Sequence, residues 1–172
     1  MIEIRAEKEE DRPAIYEVNK LAFGQEDESR LVDALRESND FIYDLSLVAV
    51  KEGKIVGHIL FSPIAIETEI GLVRILSLAP MAILPEFQRQ GIGSELVRRG
   101  LKECQRFGHE VVVVIGHPDY YPRFGFTSAR AKGLEAPFEV PDEAFLVLEI
   151  KDGALEGISG KIKYPPAFDG LV

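Results

Sequence analysis

The clearest pattern in the chain is a change of period at Ile92. From there Ile92, Leu96, Val97, Gly100, Leu101 and Cys104 recur at spacings of four and one, with Arg98, Arg99, Lys102, Glu103 and Arg106 on the other side. That spacing predicts an amphipathic helix with one buried face, closed at Gly108. Upstream, the residues from Leu45 to Ile66 read as two β-rich runs around Glu52-Gly53, a hairpin, and "GLVRILSLAPMAIL" as a further strand. Together they predict an antiparallel meander. Downstream, "EVVVVI" is a continuous apolar run, as expected of a strand covered on both faces, and "FLVLEI" from Phe145 to Ile150 is another. The chain opens with a short strand at Ile2 to Ile4. Asp11 and Pro13 then mark a helix start before Ile15, Val18, Leu21 and Ala22, and Gly24 marks its end. Leu31, Val32 and Leu35 give a shorter helical stripe behind the acidic run Glu26 to Glu28, where carboxylates suit the positive end of a helix. The final "KYPPAFDGLV" reads as coil, because Pro165-Pro166 forbids a helix there.

No repeat, low-complexity linker or domain boundary interrupts this pattern, so residues 1–172 are expected to form a single domain. No run of about 18 apolar residues suggests a membrane span. The amino terminus is charged from Glu3 onward and lacks the apolar core of a signal peptide, which points to a cytoplasmic protein. The only cysteine, Cys104, lies on the buried helical face; it offers neither an internal disulfide nor the usual zinc spacing, and no metal is expected. A net charge of -9 argues against nucleic-acid partners, which need a basic face, and suits a cationic substrate.

Against that background the two glycines at the mouth of the long helix need explaining, because glycine weakens helices. A strand running into a glycine-rich loop that opens a helix is an anion-binding device: unpaired N–H groups and the positive end of the helix dipole face one spot. A Walker loop needs a lysine that does not follow Gly93, and a dinucleotide loop needs a third glycine where Leu96 stands. The spacing Gln88-x-x-Gly91-x-Gly93 instead resembles the acetyl-coenzyme A signature of the GNAT superfamily of N-acetyltransferases. Two further elements follow the family's order. Met81-Ala82-Ile83 and Pro85 stand where that family carries the end of its fourth strand, and "YYPRFGF", from Tyr120 to Phe126, is similar to its aromatic segment after the fifth.

The resemblance implies an α/β (α+β) fold: a mixed, mostly antiparallel central sheet, flanked by helices, whose fourth and fifth strands splay apart. Pro80, without an N–H, suits an edge or bulge there. It implies acetyl-CoA as cosubstrate, its pyrophosphate on the backbone of Gln88, Arg89, Gln90, Gly91, Ile92, Gly93 and Ser94, and its pantetheine arm paired with Met81, Ala82 and Ile83. Arg89, Arg98 and Arg99 form a basic cluster near the phosphates, of which Arg89 is the expected contact. The implied activity is direct transfer of acetyl to a primary amine of a small molecule or peptide. A noncatalytic acyl-CoA-binding module on the same fold is the alternative. Transfer needs a neutral amine, an oxyanion donor and a proton for the thiolate. The resemblance assigns the donor to the Ile83 N–H and the proton to Tyr121, with Tyr120 as a packing neighbour. Glu26, Glu28 and His117 are candidates for the base, beside bound water, and His58 is expected in the core or at its rim. The identity of the amine and the existence of a homodimer stay open.

Overall fold

In the computed structural model, which describes residues 1–169, β1 (Ile2–Ala6) pairs with β2 (Ser46–Lys51), β2 with β3 (Lys54–Thr68) and β3 with β4 (Gly71–Ile83), all antiparallel. Glu52 and Gly53, at φ 51° and 78°, make the two-residue turn between β2 and β3. After α3 (Ile92–Arg106), β5 (Val111–Ile115) lies parallel to β4 and antiparallel to β8 (Phe145–Glu149). Short strands complete the nine-stranded sheet: β6 (Thr127–Ser128) on β8, and β9 (Gly160–Lys163) on β3, with β7 (Leu134–Glu135) beside β9. The pattern of alternating residues does not register strands of two to four residues, and these three have no counterpart in the sequence reading.

Helices cover both faces of the sheet. On one, Leu96, Val97 and Cys104 of α3 join a core cluster with Ile59, Phe61 and Leu76. On the other, α1 (Arg12–Phe23) and α2 (Asp27–Glu37) bring Ile15, Leu31, Val32 and Leu35 against Val48, Leu60 and Ile64. Gly100 is tolerated inside α3 because any Cβ there would run into the Phe61 ring; close approach of helix to strand outweighs its weak helix propensity. The end of α3 follows expectation: Gly108 is left-handed at φ 84°, and the amides of Gly108 and His109 return to the carbonyls of Gln105 and Cys104.

The helix start at Asp11 holds, by a route of its own, and one local expectation, at the carboxyl-terminal coil, needs correcting. Asp11 does precede α1, but its carboxylate does not cap that helix. It turns back to accept from the Arg5 guanidinium at 2.6 Å and from the Lys8 N–H at 2.7 Å. The hydrogen bond from Arg5 is the main reason its carboxyl titrates below the ordinary range. The carboxyl-terminal coil contains a short 3-10 turn at Pro166–Phe168, since a proline at the start of such a turn gives up no needed N–H; the rest of that segment, 170–172, lies outside the described residues.

Beneath α1 and α2 runs a buried polar chain. Asn19 donates from its amide to Nδ1 of His58 at 3.2 Å, and the opposite ring nitrogen lies 2.9 Å from the Ser46 hydroxyl. Ser46 donates to Glu7, which is held by the Arg36 guanidinium at 2.9 Å. His58 is therefore a core residue. Burial, with Arg36 nearby, pushes its pKa down to about 3, so it remains neutral in the folded protein.

Candidate active site

Residues Leu76 and Ser77 of β4 face Val112 and Val113 of β5, and there the pairing stops. Beyond that point β4 runs on to Ile83 and β5 to Ile115 without pairing, and a cleft of about 1230 Å³ opens there. The bulge expected around Pro80 lies at this parting. Ile59 pairs with Met81 and Phe61 with Leu78, leaving Ala79 and Pro80 opposite Leu60 alone.

Ladder geometry fixes which way the free edge of β4 points. The Leu84 N–H donates to Val56 at 2.9 Å, and in an antiparallel ladder every second residue repeats that orientation. Ala82 therefore turns its backbone toward β3, while Met81 and Ile83 turn theirs into the cleft. Gln88 bears this out by donating its side-chain amide to the Ile83 carbonyl at 3.0 Å. The Ile83 N–H lies on the same open edge.

At the end of β4 the chain enters the glycine loop, where Arg89 and Gly91 are both left-handed, at φ 63° and 86°. Interleaved left-handed residues gather backbone N–H groups around a concavity, and strain of this kind concentrates at ligand sites. The first intrahelical bond of α3 is from Glu95 to Gly91, and no side chain caps this end. The amides of Ile92, Gly93 and Ser94 are thus free donors at the positive end of a 15-residue helix. The two glycines serve different needs. A Cβ on Gly91 would meet nothing within 4 Å, so that position requires glycine for its backbone angle; on Gly93 it would stand 3.2 Å from the Tyr120 hydroxyl and 3.5 Å from Met81.

Most of the expected coenzyme residues line the cleft: Met81, Ala82, Ile83 and Gln88 along the strand, and Arg89, Gly91, Gly93 and Ser94 on the loop. Gln90 and Ile92 do not. The Gln90 side chain is exposed and donates back to Glu86, and Ile92 is buried in the α3 core, so each offers the loop only its backbone. Of the three arginines, Arg89 reaches the cleft. Arg98 lies over the Phe124 ring and Arg99 toward Glu103, on the outer side of α3.

Tyr121 and Tyr120 both border the cleft but differ in setting. The Tyr121 ring packs edge-on against Tyr120 and Phe126, in the space a Cβ on Gly116 would fill. Burial, with Tyr120 beside it, raises its phenol above the ordinary value near 10, so it stays protonated. Tyr120 is half-buried, holds its hydroxyl 3.1 Å from Ser94 and lies under the Arg123 guanidinium. Among the base candidates, Glu28 and His117 line the cleft. Glu26 does not: its carboxylate accepts from Tyr16 at 2.7 Å and lies near Arg30, an engagement that also lowers its pKa. Cys104 is sealed in the core, and burial pushes its thiol up to about 12, which makes it no nucleophile.

The sequence reading missed the far half of the cleft. Phe138, Val140, Tyr164 and Phe168 line it together with Ala22 and Leu31. These residues come from short irregular segments with no periodicity to mark them.

Residues 3–129 match the family model described as acetyltransferase (GNAT) domain. The chain belongs to the GNAT acetyltransferases. Among its relatives, the uncharacterized N-acetyltransferase YjhQ of Escherichia coli (strain K12) is 42% identical over 134 residues, 77% of this chain and 74% of that protein. The uncharacterized N-acetyltransferase YhbS of the same strain is 34% identical over 167 residues, covering 96% of this chain and 98% of the relative. A crystal structure of Escherichia coli YhbS in complex with CoA superposes with a TM-score of 0.91 at 31% identity, over 99% of this chain and 93% of that one. A GNAT family acetyltransferase from Brucella melitensis, in complex with acetyl-CoA, gives 0.81 at 31% identity, over 98% of this chain and 99% of that one. This GNAT enzyme thus has the mixed, mostly antiparallel sheet that its sequence implied. No helix among the described residues is long and apolar enough to cross a membrane.

Proposed function

We propose that this protein transfers acetyl from acetyl-CoA directly to a primary amine. The observation that carries this reading is the parting of β4 from β5, which turns the backbone of Met81 and Ile83 into a cleft that ends at the unpaired amides of the glycine loop. An extended pantetheine arm, with its own amides, pairs with such an edge as an added strand would. Its pyrophosphate falls to the amides of Ile92, Gly93 and Ser94, with Arg89 as the cation on the same side. The relatives crystallised with CoA and acetyl-CoA support this assignment.

In the transfer step the amine nitrogen bonds to the thioester carbonyl carbon and the C–S bond breaks. Sulfur keeps the electron pair and takes up a proton as free thiol, while nitrogen gives up a proton. The Ile83 N–H is the oxyanion donor, a fixed dipole aimed where charge develops. Tyr121 serves as hydrogen-bond donor to the departing sulfur. Its raised pKa makes complete proton transfer to a thiolate uphill, so its contribution is that of a polarising contact more than of a strong acid. Glu28 or His117 receives the proton from nitrogen, directly or through water. No covalent enzyme intermediate is needed, in keeping with the sealed Cys104.

The test is calorimetric titration with acetyl-CoA followed by a thiol-release screen over amines, amino acids and peptides. Binding and amine-dependent thiol release are expected; release that never depends on an added amine would refute the reading.

A further inference from the structure

The two halves of the cleft carry opposite charge. The only Arg or Lys side chains lining it, among the described residues, are Arg89 and Arg123, both at the glycine-loop end, where Arg123 covers Tyr120. The carboxylates that line it are Glu28 on α2 and Glu139 in the segment after β7. Glu28 stands one helical turn from Leu31, which lines the same chamber. An anion is thereby favoured at one end and a cation at the other.

The chamber beside Glu28 is walled by aromatic rings. Phe138 and Tyr164 stack with centroids 6.0 Å apart and planes 20° apart, and Tyr164 meets Phe168 at 4.8 Å and 47°. Ala22, Leu31 and Val140 complete an apolar lining. Burial alone raises the Tyr164 phenol to about 12, so it adds no charge to the wall. A polyamine would require a series of carboxylates, and a peptide would require backbone partners along its length. This chamber offers Glu28, with Glu139 at its exposed margin, and flat hydrocarbon surface. Such a surface best complements a ring, which gains contact area and stacking together.

Resting on the acetyl-transfer reading, we propose that the acceptor is a primary amine carried a short alkyl link away from an aromatic or similarly flat apolar body. The ring lies against Phe138 and Tyr164, and Glu28 holds the ammonium before it loses its proton. In the step already balanced above, these residues select the nucleophile and leave the bond changes as they are. Glu28 is thus a specificity and binding group whether or not it also takes the proton.

The experiment compares 2-phenylethylamine, n-butylamine, spermidine and an alanyl dipeptide amide on the full chain. Thiol release gives kcat/KM, and calorimetry on the CoA-loaded protein gives affinity. Phenylethylamine is expected to exceed butylamine by about 10-fold in kcat/KM, a gap sized by one ring's burial and stacking. Phe138→Ala, at a half-buried loop position, should erase that gap while leaving coenzyme affinity unchanged, and Glu28→Gln should raise KM for both monoamines by about 10-fold. Spermidine or the dipeptide as best acceptor, or a gap that survives Phe138→Ala, overturns the proposal while leaving acetyl transfer standing. If coenzyme binds and no amine reacts, affinity decides. A preference for phenylethylamine that Phe138→Ala removes upholds the chamber and sinks the transfer reading; equal affinity for both monoamines overturns the chamber as well.

Discussion

The two halves of the cleft are built by different means. The half we assign to the coenzyme is made of backbone: left-handed turns at Arg89 and Gly91, free amides at the start of α3, and the open edge of β4. The half we assign to the acceptor is made of side chains, contributed by α1, α2 and two irregular segments after β7 and β9. Backbone sites tolerate replacement of the side chains they carry and resist added bulk. Side-chain sites behave in the opposite way, and so the coenzyme half is expected to vary little where the acceptor half can change its chemistry.

The sharpest break of this contrast adds bulk to the backbone half. Gly93→Val places its Cβ 3.2 Å from the Tyr120 hydroxyl and its methyl groups in the cradle. Coenzyme Kd should rise about 100-fold while Tm falls by a few degrees. Unchanged affinity in calorimetry would show that the loop does not hold the coenzyme.

Next in size is an acid effect that starts under the half we assign to the acceptor, whose helices rest on the chain from Asn19 through His58 to Glu7. Burial holds the folded pKa of His58 at about 3, against an ordinary value of 6.5. Between those values the unfolded chain binds a proton that the folded one refuses, so stability is full above pH 6.5 and declines as pH falls toward 3. The loss should reach on the order of 3 kcal/mol by pH 4.5, with hydrogen exchange rising first in α1 and α2. His58→Gln should flatten the curve of Tm against pH below 6.5. Parallel curves for variant and parent would remove His58 as the cause.

At the seam between the halves, Tyr121→Phe keeps the ring and deletes the hydroxyl. With its phenol already raised by burial, turnover should fall about 10-fold, near the low end for acid catalysis, with coenzyme affinity unchanged. Wild-type turnover would return Tyr121 to the core as a packing residue. The smallest effect belongs to Cys104→Ala. The thiol is sealed away from the cleft, and turnover should stay within about 2-fold of the parent at equal folded fraction, with no inactivation by alkylating reagents.

What could be read in the sequence follows the same division. The α3 stripe, the β2–β3 hairpin and the loop spacing are local patterns, and the structure keeps each within a few residues. The glycines were legible as a pair at the mouth of α3, although their separate reasons were not, because left-handed φ and ring contact look alike as the letter G. Glu26 and Glu28 could not be told apart in one dimension. At two positions' separation around a helix start they point about 200° apart, and Glu26 turns to Tyr16 while Glu28 faces the cleft. Phe138, Tyr164 and Phe168 were invisible because their proximity depends on β9 docking against β3. That close approach is possible only because Gly160 lacks a Cβ that would strike the Glu67 backbone.

The position of that aromatic wall along the chain matters at the bench. The family match ends at residue 129, ahead of Phe138, Tyr164 and Phe168. The last of these, in the turn at Pro166–Phe168, is buried close in sequence to the carboxyl end. A purification tag or reporter joined just after Asp169 begins one residue from Phe168, in the wall we propose for the acceptor, whereas one joined ahead of β1 meets the far edge of the sheet. Assays meant to discover the substrate should therefore carry their tags at the amino end. A fusion after Asp169 that binds coenzyme without acetylating, where an amino-terminal fusion does acetylate, would point to disturbance of that wall.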